Sequence, residues 1–98
     1  MQHKTQIAPA NAYSKVRHAI QGLIEFEGED DRDDVLYAAN KLNSVLRRVQ
    51  DDYLSWNKET LKEFVLNQHD PLRYIKVKSD KLNHIVRMIQ EDMIVQFS

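Results

Sequence analysis

An acidic cluster between residues 25 and 34 contains the residue types best suited to holding a hard cation. Its carboxylates belong to Glu25, Glu27, Glu29, Asp30, Asp31, Asp33 and Asp34. Mg²⁺ and Ca²⁺ favour convergent oxygen ligands, so Glu27, Asp30 and Asp34 make a Mg²⁺-dependent all-α hydrolase one alternative function. The spacing lacks the alternating ligands of a calcium-binding loop. The favoured interpretation is a solvated helix start whose carboxylates offset the helix dipole, with an acidic partner-binding surface as a further alternative.

A basic stretch over residues 73–87 is the second group that could do chemistry. Its cations are Arg73, Lys76, Lys78, Lys81 and Arg87, with Tyr74 interleaved. Clustered cations bind phosphates and an aromatic ring can stack on a base, so this stretch makes a nucleic-acid-binding regulator the main alternative function. The whole chain has a formal net charge of −1, which gives no overall attraction to a polyanion. A solvated face is therefore favoured, and pairing with the acidic cluster of a second subunit is another alternative.

Several kinds of catalytic site are excluded by composition. The chain has no cysteine and only two glycines, which excludes thiolate chemistry and a glycine-rich phosphate loop. The four histidines, His3, His18, His69 and His84, are too far apart in sequence to form a known metal-binding motif. We therefore predict a protein that is not an enzyme and that needs no cofactor or metal.

Length and composition predict one soluble globular domain. A chain of 98 residues with 42% hydrophobic and 30% charged residues is sufficiently apolar to form a core, and its size is that of a single domain. We expect a flexible N-terminal tail over residues 1–8 and a single helical domain over residues 9–98. The polar N-terminus and the lack of a long apolar run predict a cytoplasmic protein without membrane association.

The first element that must position these groups is a helix from about Pro9 to Glu27. Its apolar stripe consists of Tyr13, Val16, Ile20, Leu23 and Ile24, flanked by Ala12 and Ala19. Gly28 suits the residue that ends such a helix. Gly22 inside the helix predicts that another backbone approaches closely, because glycine otherwise weakens a helix.

The second helix has the clearest pattern. Its apolar positions are separated alternately by four and three residues, which is a heptad seam: Val35, Ala39, Leu42, Leu46, Val49, Tyr53 and Trp56, widened by Ala38 and Val45. Arg47 and Asp51, and likewise Arg48 and Asp52, have the spacing of ion pairs along its flank.

Two further helices complete the chain. Asn57 is predicted to cap a short helix, with Leu61, Phe64 and Val65 facing inward, that ends near His69. For the stretch Leu72–Lys78 a short helix or an extended connector is favoured, and an exposed edge strand is the alternative. The last helix begins at Ser79 or Asp80, and its apolar face contains Leu82, Ile85, Val86, Ile89, Met93 and Phe97.

These elements predict an all-α fold, a compact bundle of three main helices plus one short helix, that forms a homodimer. The second and last helices carry more apolar surface than one core face requires, which is typical of interfaces. We therefore predict a small protein–protein interaction module, such as an adaptor, inhibitor or regulatory subunit. Its expected contact residues are Tyr37, Leu54, Trp56, Met88, Ile94 and Phe97. On this hypothesis the change Ile94→Asp weakens association with little loss of helicity.

Overall fold

Four α-helices form the part of the chain that the structure describes. The computed structural model describes residues 3–25, 32–66 and 75–98, and the side chains of the first helix from residue 11 onward. The helices are α1 (His3–Ile24), α2 (Arg32–Asp52), α3 (Lys58–Val65) and α4 (Asp80–Phe97), and a 3₁₀ turn (Tyr53–Ser55) follows α2. No residue in the described ranges lies in a strand. The predicted all-α architecture with three main helices and one short helix is confirmed.

The three long helices pack around one apolar core, and α3 covers one end of it. Helix α1 contacts both α2 and α4, while α3 contacts α4 and α2. The Cα positions span 46 × 27 × 17 Å. Since packed helices lie about 8–10 Å apart, the shortest dimension corresponds to roughly two helix layers. Each long helix therefore keeps one face toward solvent.

The apolar seam of α2 lies in the core over the whole length of the helix. Val35, Ala39, Leu42, Leu46 and Val49 are buried, together with the flanking Ala38 and Val45. The last two seam residues, Tyr53 and Trp56, lie beyond the end of α2 and are partly buried against the core. Arg48 donates to Asp52 as predicted. The predicted pair of Arg47 with Asp51 is not found in the described part of the chain, and the Arg47 side chain lines a polar cavity between α1 and α2.

Helix α1 differs from its predicted bounds at both ends. It begins at His3 rather than Pro9, and it ends at Ile24 rather than Glu27. Pro9 therefore lies within the helix rather than at its first turn, although a proline inside a helix lacks an N–H to donate and usually weakens or bends the helix. The predicted stripe is confirmed, because Ala12, Val16, Ile20 and Leu23 are buried and Tyr13, Ala19 and Ile24 pack against the core. Gly28 lies outside the described residues.

Helix α3 is held by polar side chains at both ends. The Asn57 Oδ1 accepts from the backbone N–H of Thr60 at 2.8 Å, which confirms the predicted cap. The helix ends at Val65, before the predicted end near His69, which lies outside the described residues. At this end the Gln90 side chain of α4 donates to the Val65 carbonyl at 3.2 Å. That bond satisfies a backbone carbonyl that the end of the helix leaves without an intrahelical partner.

An asparagine of α4 clamps the connector that precedes this helix. Buried Ile75 and Val77 alternate with exposed Lys76 and Lys78 in a segment that is neither helix nor strand. The Val77 N–H donates to Asn83 Oδ1 at 3.0 Å, and Asn83 Nδ2 donates to the Val77 carbonyl at 2.7 Å. This amide supplies the two hydrogen bonds that a neighbouring strand would otherwise supply. The extended connector is thus found over 75–78, while residues 72–74 lie outside the described part.

Loss of this clamp is expected to destabilise the protein. The change Asn83→Ala leaves the part-buried N–H and C=O of Val77 without their partner, so the free energy of unfolding should fall by about 1–3 kcal/mol. The matched control is Asn40→Ala on the exposed face of α2, which makes the same gain in helix propensity without losing the clamp. Urea unfolding followed by circular dichroism measures both, and equal stability of the two variants would contradict the role given to Asn83.

Helix α4 buries a wider face than its sequence predicts. Ser79 is its cap, with Oγ accepting from the Leu82 N–H at 3.1 Å. The predicted apolar face is confirmed, and Ile94 is buried as well. The reason is that α4 contacts α1, α2 and α3, and a helix with three neighbours buries more of its circumference than a helix packed on one. None of the described helices is long and apolar enough to cross a membrane.

Candidate protein-binding groove

The six predicted contact residues do not form one surface. Tyr37 and Leu54 are exposed on α2 and on the 3₁₀ turn, and Met88 is exposed on α4. The Tyr37 ring lies beneath the ammonium of Lys41, with 5.5 Å between Nζ and the ring centroid. Trp56 is half-buried and packs on Phe64 of α3, with 5.0 Å between the ring centroids. Exposed apolar side chains are therefore found on two separate parts of the molecule.

Ile94 and Phe97 belong to the core of the monomer. Ile94 is 7% exposed, and Phe97 is buried against Tyr53 with the two rings edge to face at 5.2 Å. This contact joins the C-terminal end of α4 to the turn after α2. Burial also raises the pKa of the Tyr53 phenol, because the ionised form would lose hydration. The expectation that Ile94 and Phe97 present an apolar surface to a partner is thus replaced by a packing role.

Met88 belongs to an open apolar groove between α1 and α4. The groove has a volume of about 640 Å³ and is lined by Ala19, Gly22 and Leu23 of α1 and by Ile85, Met88, Ile89, Glu91 and Asp92 of α4. Its walls follow two neighbouring helices, and the α4 wall extends for about 10 Å at 1.5 Å per residue. A volume of this size falls within the range of ligand-binding clefts.

Gly22 widens the groove. A Cβ built at Gly22 would have no described heavy atom within 4 Å, so the predicted close approach of another backbone is not found within the described part of this chain. The absence of a side chain instead leaves the α1 backbone accessible along the groove. A partner could approach α1 more closely here than at any larger residue. The lone glycine inside an amphipathic helix was the one sequence signal that pointed to this position.

The groove has an acidic edge formed by α4. The Glu91 carboxylate accepts from Arg87 Nε at 3.0 Å, and Asp92 Oδ1 accepts from the Gln96 amide at 3.4 Å. A carboxylate has about four acceptor positions, so both groups can accept further hydrogen bonds from a ligand. The groove therefore combines an apolar floor with a negatively charged edge.

The cations of the basic stretch are exposed wherever the structure describes them. Lys76 and Lys78 are exposed in the connector, and Lys81 is exposed in the first turn of α4. Arg87 follows Lys81 by six residues, which places the two about 120° apart around the helix, and Arg87 is paired with Glu91. Arg73 lies outside the described residues. The alternative of nucleic-acid binding stays a prediction.

The acidic cluster is described only in part. Asp33 and Asp34 lie in the first turn of α2, where carboxylates oppose the helix dipole. Glu27 and Asp30 fall in the undescribed residues 26–31. Among the described residues, no group of three or more histidine, aspartate or glutamate side chains lies close enough together to hold a metal ion. The alternative of a Mg²⁺-dependent hydrolase therefore has no described ligand set.

Comparison of this chain with known protein families, sequences and structures finds no similar protein. No protein-family model, no curated protein and no solved structure matches this chain. The groove and its surroundings are therefore interpreted from their geometry and chemistry alone.

Proposed function

We propose that the protein is a small interaction module that binds an amphipathic helix of a partner protein in the groove between α1 and α4. The observation that carries the proposal is the combination of an apolar floor, an accessible backbone at Gly22 and an acidic edge at Glu91 and Asp92. Binding of this kind would suit an adaptor, an inhibitor or a regulatory subunit. The predicted homodimer and cytoplasmic location stay predictions.

The groove chemistry selects the kind of helix that fits. Two turns of groove match apolar anchors at positions i, i+3, i+4 and i+7 of a partner helix. Met88 suits such a contact because its unbranched thioether side chain adapts to different apolar shapes. The carboxylates of Glu91 and Asp92 favour Lys or Arg beside the apolar anchors, and exclude a helix with acidic flanks by like-charge repulsion. We therefore commit to an amphipathic helix with a basic flank as the occupant.

Binding of model peptides tests this proposal. The probes are a helical peptide with leucine anchors and lysine flanks, its counterpart with glutamate flanks, and a scrambled lysine peptide. Fluorescence anisotropy should show saturable binding of the leucine–lysine helix only. Filling the groove with Gly22→Leu should weaken this binding at least tenfold, or about 1.4 kcal/mol. The control Ser44→Leu adds the same side chain at an exposed position of α2 outside the groove and should leave binding unchanged.

A charge reversal provides the second arm of the experiment. Asp92→Lys should reduce affinity for the lysine peptide and increase affinity for the glutamate peptide, because residue 92 changes from a negative to a positive charge and the two carboxylates no longer act together. Equal binding of all three peptides, or equal loss of binding in the Gly22 and Ser44 variants, would refute a specific groove.

A second copy of this chain is the other possible occupant of the groove, and sedimentation equilibrium of the free protein tests it by measuring the oligomeric state. A dimer that Gly22→Leu dissociates would show that a second copy of this chain fills the groove.

A further inference from the structure

A second, smaller cavity between α1 and α2 is lined mainly by polar side chains. Its volume is about 190 Å³, and its walls are formed by Tyr13, Arg17, Ile20 and Gln21 of α1 and by Asn43 and Arg47 of α2. Each arginine follows a buried residue of the core, Val16 in α1 and Leu46 in α2. Arg17 and Arg47 are themselves exposed to solvent, and both line this one cavity.

Neither of these two guanidinium groups is neutralised by a carboxylate in the described part of the chain. Arg17 donates through Nη1 to the Tyr13 hydroxyl at 3.2 Å, and Arg47 forms no ion pair with residues in the described ranges. Other arginines of the protein differ in this respect, since Arg48 pairs with Asp52 and Arg87 pairs with Glu91. Two like charges at one small cavity repel each other, and an anion placed between them would remove this repulsion.

The neutral groups of the cavity also favour an anion. The Tyr13 oxygen accepts from Arg17, which leaves the Tyr13 hydrogen available for donation to a ligand. The Asn43 amide provides two further donors. The Gln21 side chain, which also lines the cavity, donates to the Glu25 carboxylate at 3.1 Å. Ile20 lines the cavity from the core side, and the exposed side chains of Arg17, Asn43 and Arg47 can be reached by a ligand from solvent.

We propose that this cavity binds the phosphate group of a small phosphorylated ligand, with Arg17 and Arg47 as its two cationic contacts. A phosphate monoester carries a charge of about −1.5 to −2 near neutral pH, which balances two guanidinium groups, whereas a carboxylate balances only one. The planar guanidinium fork also matches two phosphate oxygens at once. A cavity of about 190 Å³ is smaller than the roughly 300–1,000 Å³ of sites for whole drug-sized ligands. It therefore takes the phosphate group and leaves the remainder of the ligand outside.

Calorimetric titration at constant ionic strength tests the site. The probes are inorganic phosphate, ribose 5-phosphate and unphosphorylated ribose, with chloride as the reference anion. We expect saturable binding of both phosphates and none of ribose. Tighter binding of ribose 5-phosphate than of inorganic phosphate would identify a phosphorylated small molecule as the natural source, and the reverse order would identify free phosphate. Absence of saturable heat with both phosphates would overturn the proposal.

Matched arginine variants locate the binding. Arg17→Gln and Arg47→Gln should each weaken phosphate binding at least tenfold, while Arg48→Gln, one residue along α2 and outside the cavity, should not change it. Folding is checked by thermal unfolding in chloride, where Arg47→Gln should match or exceed the wild-type midpoint because one of two repelling charges is removed. Equal weakening by Arg47→Gln and Arg48→Gln would show general charge attraction and would overturn a specific site.

Discussion

The change Ile94→Asp is expected to destabilise the folded monomer strongly rather than only to weaken an association. Ile94 is 7% exposed in the core of the monomer. The variant loses the burial of a large apolar side chain, which is worth about 1.5–3 kcal/mol, and it also places an unpaired carboxylate among apolar groups. We expect the free energy of unfolding to fall by more than about 3 kcal/mol. Urea unfolding followed by circular dichroism measures this change.

The neighbouring residue supplies the matched control. Val95 is 68% exposed, so Val95→Asp introduces the same carboxylate into the same turn of α4 without burying it. Its effect should stay within about 0.5 kcal/mol. If Ile94→Asp were as stable as Val95→Asp, Ile94 would be a surface residue, and the original prediction of a contact residue would return.

The change Leu42→Ala is expected to have the second-largest effect. Leu42 has 0% exposure at the middle of α2, where the surrounding helices leave little freedom to collapse into a new cavity. Comparable changes in protein cores lower the free energy of unfolding by about 3–4 kcal/mol, a large part of the total for a domain whose stability is about 5–15 kcal/mol. Alanine is the best helix former, so loss of packing is the only reason for the effect.

A leucine outside the core separates packing from other consequences of this change. Leu54 is 69% exposed in the 3₁₀ turn, and Leu54→Ala removes the same atoms. Its free energy of unfolding should differ from wild type by less than about 0.5 kcal/mol. Thermal or urea unfolding of the two variants side by side gives the comparison, and similar losses in both would contradict the core position of Leu42.

Local sequence patterns predicted the helices and their caps well. The seam of α2 was readable because its spacing alone places Val35, Leu42 and Val49 on one face, whatever packs against it. The caps Asn57 and Ser79 were readable because each bonds to an N–H only three residues away. Such features depend on short stretches of chain, so a sequence contains the information needed to find them.

The positions that depend on how helices pack could not be predicted in this way. Whether the Ile94 side chain is buried depends on how many other helices pack against α4. The roles of Asn83 and Gln90 depend on distant backbone groups, and these two residues resemble ordinary surface amides in the sequence. The groove at Gly22 requires the relative placement of α1 and α4, which no single helix specifies. Among the residues that line the groove, the sequence analysis names Met88 as a contact residue, which stays a prediction, and Gly22 for a close backbone approach that is not found in the described part of the chain.

The contact between Trp56 and Phe64 determines what the protein's fluorescence can observe. Trp56 is the one tryptophan of the chain, and its partner ring belongs to α3. Tryptophan emission responds to the polarity around the indole, so emission from this protein reports the docking of α3 on the 3₁₀ turn. Circular dichroism instead measures mainly α1, α2 and α4, which contain most of the helical residues. The two spectroscopic signals therefore observe different parts of one small molecule. Release of α3 alone would shift the emission wavelength of Trp56, while the circular dichroism signal would keep most of its helical intensity.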